Sequence, residues 1–328
     1  MGDSNRSVLA IATQDLRVDY GDFTAVHGLT LEIGKGEIYG LVGPNGAGKT
    51  STIRALATLL EPTYGEIRIE GRDIRQERRD VHRVLGYMPD LAPANPEMKV
   101  WEFLDMFAAA YGYGEPARSD RWRSCLEMVR LSDQRDTLCG SLSRGMLQRL
   151  ILAKTLIPEP RVLLLDEPAS GMDPMARINL RNILRQLASE RATTVLISSH
   201  ILSELADMCS SVGIMSRGRL IMSGDVNAIA SAVKSTTREV QLEWTEEFDA
   251  ASFDFRLIYS REDVSGFSLH PRTASFDFSG EDEALHAVLR QLIEAGLPLV
   301  RFAPRKSSIE DVLMQIEHGE SESDGKRT

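Results

Sequence analysis

Apolar and polar positions alternate through residues 14–37, with Leu16, Val18 and Tyr20, then Leu29, Leu31 and Ile33, in step. That period of two predicts half-buried antiparallel strands. Residues 1–10 read as a loose start. Residues 38–42 are wholly apolar and predict a buried strand, whereas residues 50–60 switch to helical spacing, with Ile53, Leu56, Leu59 and Leu60 on one side. Residues 66–70 (EIRIE) alternate strictly and stop at Gly71, and a further strand is expected over residues 84–89.

Beyond Pro93 and Pro96 the rhythm becomes helical over residues 100–111, 119–131 and 143–156, the last ended by Pro158 and Pro160. Residues 91–158 therefore read as a helical insertion. Strands resume with VLLL at residues 162–165, an unbroken apolar run suited to a buried parallel sheet. A helix that Pro174 can open follows, then a buried strand over residues 193–198, a helix over residues 201–209 and a hairpin turning at Arg217-Gly218. Strand, helix, strand, helix implies parallel crossovers. Past residue 225, strands at 239–244, 267–270, 274–278 and 299–302 with helices at 281–295 and 309–317 predict a small α+β appendage spanning 226–318, and residues 319–328 read as a disordered tail.

Composition narrows the classes. A formal charge of −10 argues against a broad nucleic-acid footprint. The three cysteines, Cys125, Cys139 and Cys209, lie far apart and suggest neither a disulfide framework nor a metal pair. Stretches free of Asp, Glu, Lys and Arg are too short for a membrane span, which needs about 20 apolar residues, and no signal peptide is expected. A membrane role must come through a partner.

The chemistry begins between the strand at 38–42 and its helix. G-x-x-x-x-G-K-[ST] reads as Gly43, Gly48, Lys49 and Thr50. Gly46 and Gly48 let successive N–H groups turn inward, and these with the helix dipole suit polyphosphate. Lys49 can reach terminal phosphates, and the Thr50 hydroxyl can ligate magnesium. At the end of the run RVLLLDEP stand Asp166 and Glu167, where open α/β sheets bind ligands. Asp166 is placed to hold magnesium and Glu167 to deprotonate an attacking water.

Taken in order, GPNGAGKT, GYMPD, LSRGM, LLLDEP, SGMDP and SSH resemble the phosphate loop, glutamine loop, signature, second magnesium motif, D-loop and switch histidine of the ATP-binding cassette ATPases. The resemblance covers residues 14–225. It implies a P-loop NTPase cassette: a RecA-like parallel sheet core, an antiparallel β subdomain and the helical insertion, with residues 1–225 as the nucleotide-binding domain. It implies ATP and magnesium as ligands. Gly43, Pro44, Asn45, Gly46, Ala47, Gly48, Lys49 and Thr50 would wrap the phosphates, helped by Ser51. Tyr20 would stack on adenine, against a competing reading as a strand-end aromatic packed into the small sheet. Glu167 and His200 would be catalytic, and Thr50 and Asp166 would meet the metal.

Ser143 and Gly145 of the signature would face the γ-phosphate of ATP held by another subunit, so that two cassettes close head to tail. Ser143 is also a plain helix cap. LSRGM departs from the commoner LSGGQ by Arg144 and Met146. Asp90 stands where the family has glutamine; it could approach magnesium through a water, or be a solvated loop residue. The stretches SSHILSE and IEDVLMQIEHG resemble single-cassette ATPases of ABC-2 type exporters. The expected partners are an integral membrane permease, met by the loop after Pro89 with Trp101 and Phe103 nearby, and a second copy or paired cassette, with no nucleic acid. The expected location is the cytoplasmic face of the cell membrane. The rival is a soluble cassette ATPase acting on nucleic acid, ribosomes or cluster assembly.

Overall fold

Two compact units divide between Asn227 and Ala228 in the computed structural model, which describes residues 9–90, 93–229, 238–245, 248–250 and 253–305. The expected helix at 309–317 and the tail at 319–328 lie outside the described residues. Among the described residues no helix is long and apolar enough to cross a membrane.

The first unit opens with β1 (Leu9–Tyr20) and β2 (Phe23–Gly34), an antiparallel pair joined by a tight turn. Both bury the alternating residues: Leu16, Val18, Leu29 and Ile33 are sealed from solvent. β1 also pairs with β4 (Tyr64–Ile69), and β5 (Arg72–Asp73) completes a four-stranded sheet in the order β2-β1-β4-β5. β1 begins earlier than the expected loose start, because Ala10 and Ile11 are fully buried.

The second sheet carries β3 (Ile38–Val42), β6 (Leu85–Met88), β7 (Val162–Leu165), β8 (Thr194–Ser199), β9 (Ser211–Ser216) and β10 (Arg219–Asp225) in the order β10-β9-β3-β8-β7-β6. Every pair is parallel except the β9–β10 hairpin. The continuous apolar strands are the central ones, buried on both faces. α1 (Lys49–Leu56) follows β3. It is shorter than its periodicity predicts. Thr58 takes a positive φ, and the Leu59 and Leu60 N–H groups bond back to Arg54 O, which closes the helix and leaves Leu59 exposed.

α2 (Arg78–Val84) has no counterpart in the hydrophobic pattern, since it buries only Val81. The helical insertion holds α3 (Val100–Ala110), α4 (Ala117–Met128) and α5 (Arg144–Leu156). α6 (Pro174–Arg191) starts at an Asp173 cap with proline in its first turn, as expected. α7 (Leu202–Ala206) is one turn rather than the anticipated two. Met208 and Cys209 N–H both turn back to Leu205 O.

In the second unit β11 (Arg238–Trp244), β12 (Val264–Leu269), β13 (Thr273–Phe278) and β14 (Leu299–Arg305) form an antiparallel sheet in the order β12-β13-β11-β14. A short α8 (Arg256–Tyr259) and α9 (Asp282–Glu294) accompany it. Leu285, Val288 and Leu292 of α9 share one core with Trp244, Phe255, Phe276 and Phe278.

Candidate functional site

Because β3, β8, β7 and β6 run parallel and side by side, the loops that follow them meet along one edge of the sheet. Those loops carry, in that spatial order, Gly43–Lys49, His200, Asp166–Glu167 and Asp90.

The loop after β3 is held by its backbone. Gly43 N–H donates to Ser199 O at 3.3 Å, Ala47 N–H to Pro44 O at 3.1 Å, and Gly218 N–H of the β9–β10 turn to Ala47 O at 3.0 Å. A Cβ at Gly43 would lie 2.3 Å from Met215 O, and one at Gly48, whose φ is +100°, would lie 2.5 Å from Ala25 O. Both positions therefore exclude every other residue. Asn45 and Gly46 are exposed at the tip.

Lys49 is 5% exposed, and its Nζ donates to Gly43 O at 2.6 Å and Pro44 O at 3.2 Å. The same ammonium lies 3.4 Å from Glu167 Oε1. Burial pushes its pKa down, and Glu167 and Asp166 only partly offset that. It is a cation whose solvation has been replaced by carbonyls and one carboxylate, poised for an anion that can displace them.

Beside it, Thr50 Oγ1 donates to Asp166 Oδ1 at 3.2 Å. Ser198 Oγ donates to the same carboxylate oxygen at 2.8 Å and accepts from Glu167 N–H at 2.9 Å. One hydroxyl on β8 thus fixes both acids after β7. Glu167 adopts φ +48°, a left-handed backbone that a non-glycine residue holds only when its surroundings impose it. His200 Nδ1 stands 3.0 Å from Glu167 Oε2.

Asp90 follows β6. Its backbone O accepts from Gln148 Nε2 of α5 at 3.0 Å, while its own Oδ1 is buried with no hydrogen-bond donor. Burial, then repulsion from Asp166 and Glu167, pushes its pKa up, with Arg144 acting the other way. Asp90 is half-buried, with one carboxylate oxygen turned out of solvent. Among the described residues no three His, Cys, Asp or Glu side chains converge on a metal position. Magnesium does not require that: it takes one or two protein oxygens and leaves the rest to phosphates and waters. The hard oxygens of Thr50 and Asp166, beside a phosphate-shaped loop, fit it.

Tyr20 ends β1 and is 45% exposed. Its hydroxyl reaches within 3.4 Å of Ser51 Oγ, at the first turn of α1. Ser143 and Gly145 make no hydrogen bond to this cluster. Ser143 is exposed and caps α5, accepting from Met146 N–H at 3.3 Å. Gly145 is buried, and a Cβ there would meet Ala176 of α6 at 3.1 Å.

Trp101 and Phe103 lie on α3, near the loop after Pro89 that is expected to meet the partner. Phe103 is 3% exposed, and the Trp101 ring packs on Trp122 at 6.1 Å. Helical periodicity marks Phe103 as an inward position. Sequence reasoning missed Ser198 and Gln148; the only signal for Ser198 was its place two residues before His200.

A family model described as "ABC transporter" matches residues 26–170. The chain is 32% identical over 315 residues to Nod factor export ATP-binding protein I of Burkholderia orbicola, covering 94% of this chain and 97% of that one. It is 31% identical to daunorubicin resistance ATP-binding protein DrrA3 of Streptomyces coeruleorubidus, covering 94% and 95%. Among solved structures, the dimeric bacterial ABC transporter cassette MJ0796 superposes with a TM-score of 0.61 at 21% identity, over 66% of this chain and 98% of that one.

Proposed function

The chain belongs to the ATP-binding cassette family of transporter ATPases, and on that footing we propose that the loops at the shared sheet edge form a magnesium-dependent ATPase site that powers export through a separate membrane protein. The observation that carries this reading is that Lys49 and His200 both contact Glu167, while Asp166, bonded by Thr50 of the phosphate loop, is tied to the Glu167 N–H through the Ser198 hydroxyl. Binding and hydrolysis of ATP is the family's activity; the residue roles, the metal and the partners are our assignment.

The phosphates of ATP take the place of the Gly43 and Pro44 carbonyls and of Glu167 around the Lys49 ammonium. Backbone N–H groups from Pro44 onward, where residues carry them, and the N-terminus of α1 meet the phosphate oxygens. Tyr20, exposed beside Ser51, offers a face for the adenine ring. Thr50 and Asp166 would hold magnesium, which would supply charge neutralisation on the phosphate oxygens, and Asp90 would approach it through a water. Glu167, released from Lys49, accepts a proton from the attacking water as the new O–P bond forms and the bond to the ADP oxygen breaks. His200 holds the Glu167 carboxylate in place through Nδ1 and faces the γ-phosphate with the rest of its ring.

Ser143 is exposed at the N-terminus of α5, away from its own phosphate loop's bonds, which supports its use by a second cassette. MJ0796 was solved as a dimer, and the head-to-tail arrangement is carried to this chain as part of the proposal. The relatives' names assign them to Nod factor export and daunorubicin resistance. On that basis the partner is an integral membrane permease, and the subunit sits on the cytoplasmic face of the membrane through it.

The experiment is phosphate release from ATP by the purified subunit, with magnesium and with excess chelator, alone and with the integral membrane protein that co-purifies with it. Turnover that needs magnesium and rises with the permease is expected. Equal turnover in chelator would reject the metal assignment, and indifference to the permease would reject the coupling.

A further inference from the structure

Two loops of the site are joined by a chain of hydrogen bonds that the mechanism above does not use. Arg177, in the first turn of α6, donates from Nε to Met172 O at 3.1 Å, inside the SGMDP turn. Its Nη1 lies 2.9 Å from Glu204 Oε1 on α7. The other oxygen of that carboxylate, Oε2, accepts from Ser199 Oγ at 3.1 Å. Ser199 Oγ in turn accepts from Ile201 N–H at 3.0 Å, and Ser199 O accepts from Gly43 N–H at 3.3 Å. His200 is thus bracketed by two residues that share one hydroxyl; that hydroxyl is tied through Glu204 and Arg177 to the SGMDP turn, and the Ser199 carbonyl is tied to the phosphate loop.

We propose that Arg177 and Glu204 are positioning residues that set the His200 loop against Glu167 according to the position of the SGMDP turn. This rests on the ATPase reading of the site. The Glu204 side chain is only 11% exposed, so its two oxygens are committed to these two partners. Removing either partner leaves the other charge or its hydrogen bonds unmet in a partly covered place, which disturbs the local geometry more than loss of a solvated surface pair does. An ordinary pair stitching α6 to α7 stands one turn along: Arg181 Nη1 lies 3.5 Å from Asp207 Oδ2. That pair joins the same two helices but bonds to neither loop, so it separates loop positioning from simple helix attachment. Movement at Met172, which lies next to the exposed turn residues Gly171 and Asp173, reaches His200 through two side chains.

The prediction is an effect on turnover rather than on ATP binding, because the His200–Glu167 geometry matters most in the transition state. Arg177→Met and Glu204→Ala should each lower kcat about tenfold with KM for magnesium-ATP held within about twofold. Arg177→Lys, which keeps the charge, should recover part of the loss. Arg181→Met should leave kcat within about twofold. Hydrogen exchange by mass spectrometry on the full-length protein gives a second readout that needs no activity. The Ile201 amide should exchange faster in Arg177→Met and not in Arg181→Met. Equal effects of Arg177→Met and Arg181→Met on both readouts would overturn the relay. A wild-type protein without turnover would count against the ATPase reading, and the exchange comparison would still decide the relay.

Discussion

His200 Nδ1 and Glu167 Oε2 stand 3.0 Å apart, on loops that follow different strands. A carboxylate oxygen accepts and a ring N–H donates, so this pairing suits the Nδ1–H tautomer. Glu167 is also held from below by Ser198 and faces Lys49 with its other oxygen, at 3.4 Å. It is a fixed acceptor, backed by a strained backbone, beside a buried cation.

Glu167→Gln keeps the shape of that arrangement and removes the base. ATP binding should survive, and turnover should fall by roughly 10²–10⁴-fold. Magnesium-ATP should then trap a dimer visible by gel filtration. Turnover within about twofold of wild type would reject Glu167 as the base.

The signature should act between subunits. In a mixture of Ser143→Arg and Lys49→Ala proteins, a mixed dimer contains one composite site with neither lesion. Partial return of ATP-dependent dimer formation is expected in the mixture and not in either protein alone. Wild-type behaviour of each single variant would sink the shared-site model.

Tyr20→Ala removes an exposed ring next to α1. Stacking on a base is worth about 1–3 kcal/mol in nucleic-acid binders, and a loss of that order in ATP affinity is expected with magnesium dependence unchanged. An affinity change below about twofold, read by fluorescence or calorimetry, would leave the ring without a role in adenine binding.

Asp90 is a carboxylate whose pKa the fold raises above the ordinary 3.8, by burial and by Asp166 and Glu167. The ionised form is therefore disfavoured in the folded state. The cost is present in full above the raised pKa, shrinks as pH falls through it, and is gone below 3.8, where both states are protonated. Asp90→Asn without magnesium or nucleotide should melt a few degrees above wild type near neutral pH, with the gap closing as pH falls. A gap independent of pH would assign the effect to packing. In Asp90→Gln, ATP affinity should depend less steeply on magnesium than in wild type, because one carboxylate facing the phosphates is gone; equal dependence would leave Asp90 without a metal role.

Much of this was legible in the chain. The phosphate loop announces itself because only glycine fits at Gly43 and Gly48, so the backbone constraint is written as residue identity. The α6 start was readable from Pro174 because a proline in the first helical turn is a local preference. α2 was not readable, since a helix that buries one side chain leaves no periodic trace. Nor was the end of α1, where the positive φ of Thr58 overrides a run of leucines. Ser198 and Gln148 escaped notice because their hydrogen bonds span 32 and 58 residues of sequence.

Local sequence determined the strand ends, the glycine turn, the acidic pair and the identity of each reactive group, because dihedral preference, capping and alternation act over a few residues. Only the tertiary structure placed β8 between β3 and β7. That order brings Ser198 against Asp166 and Glu167, and His200 against Glu167, and it sets the phosphate loop after β3 beside them although β3 and β8 are far apart in sequence. The reason is that parallel neighbours are chosen by the packing of apolar strands that all read alike, so no strand's own residues specify its neighbour.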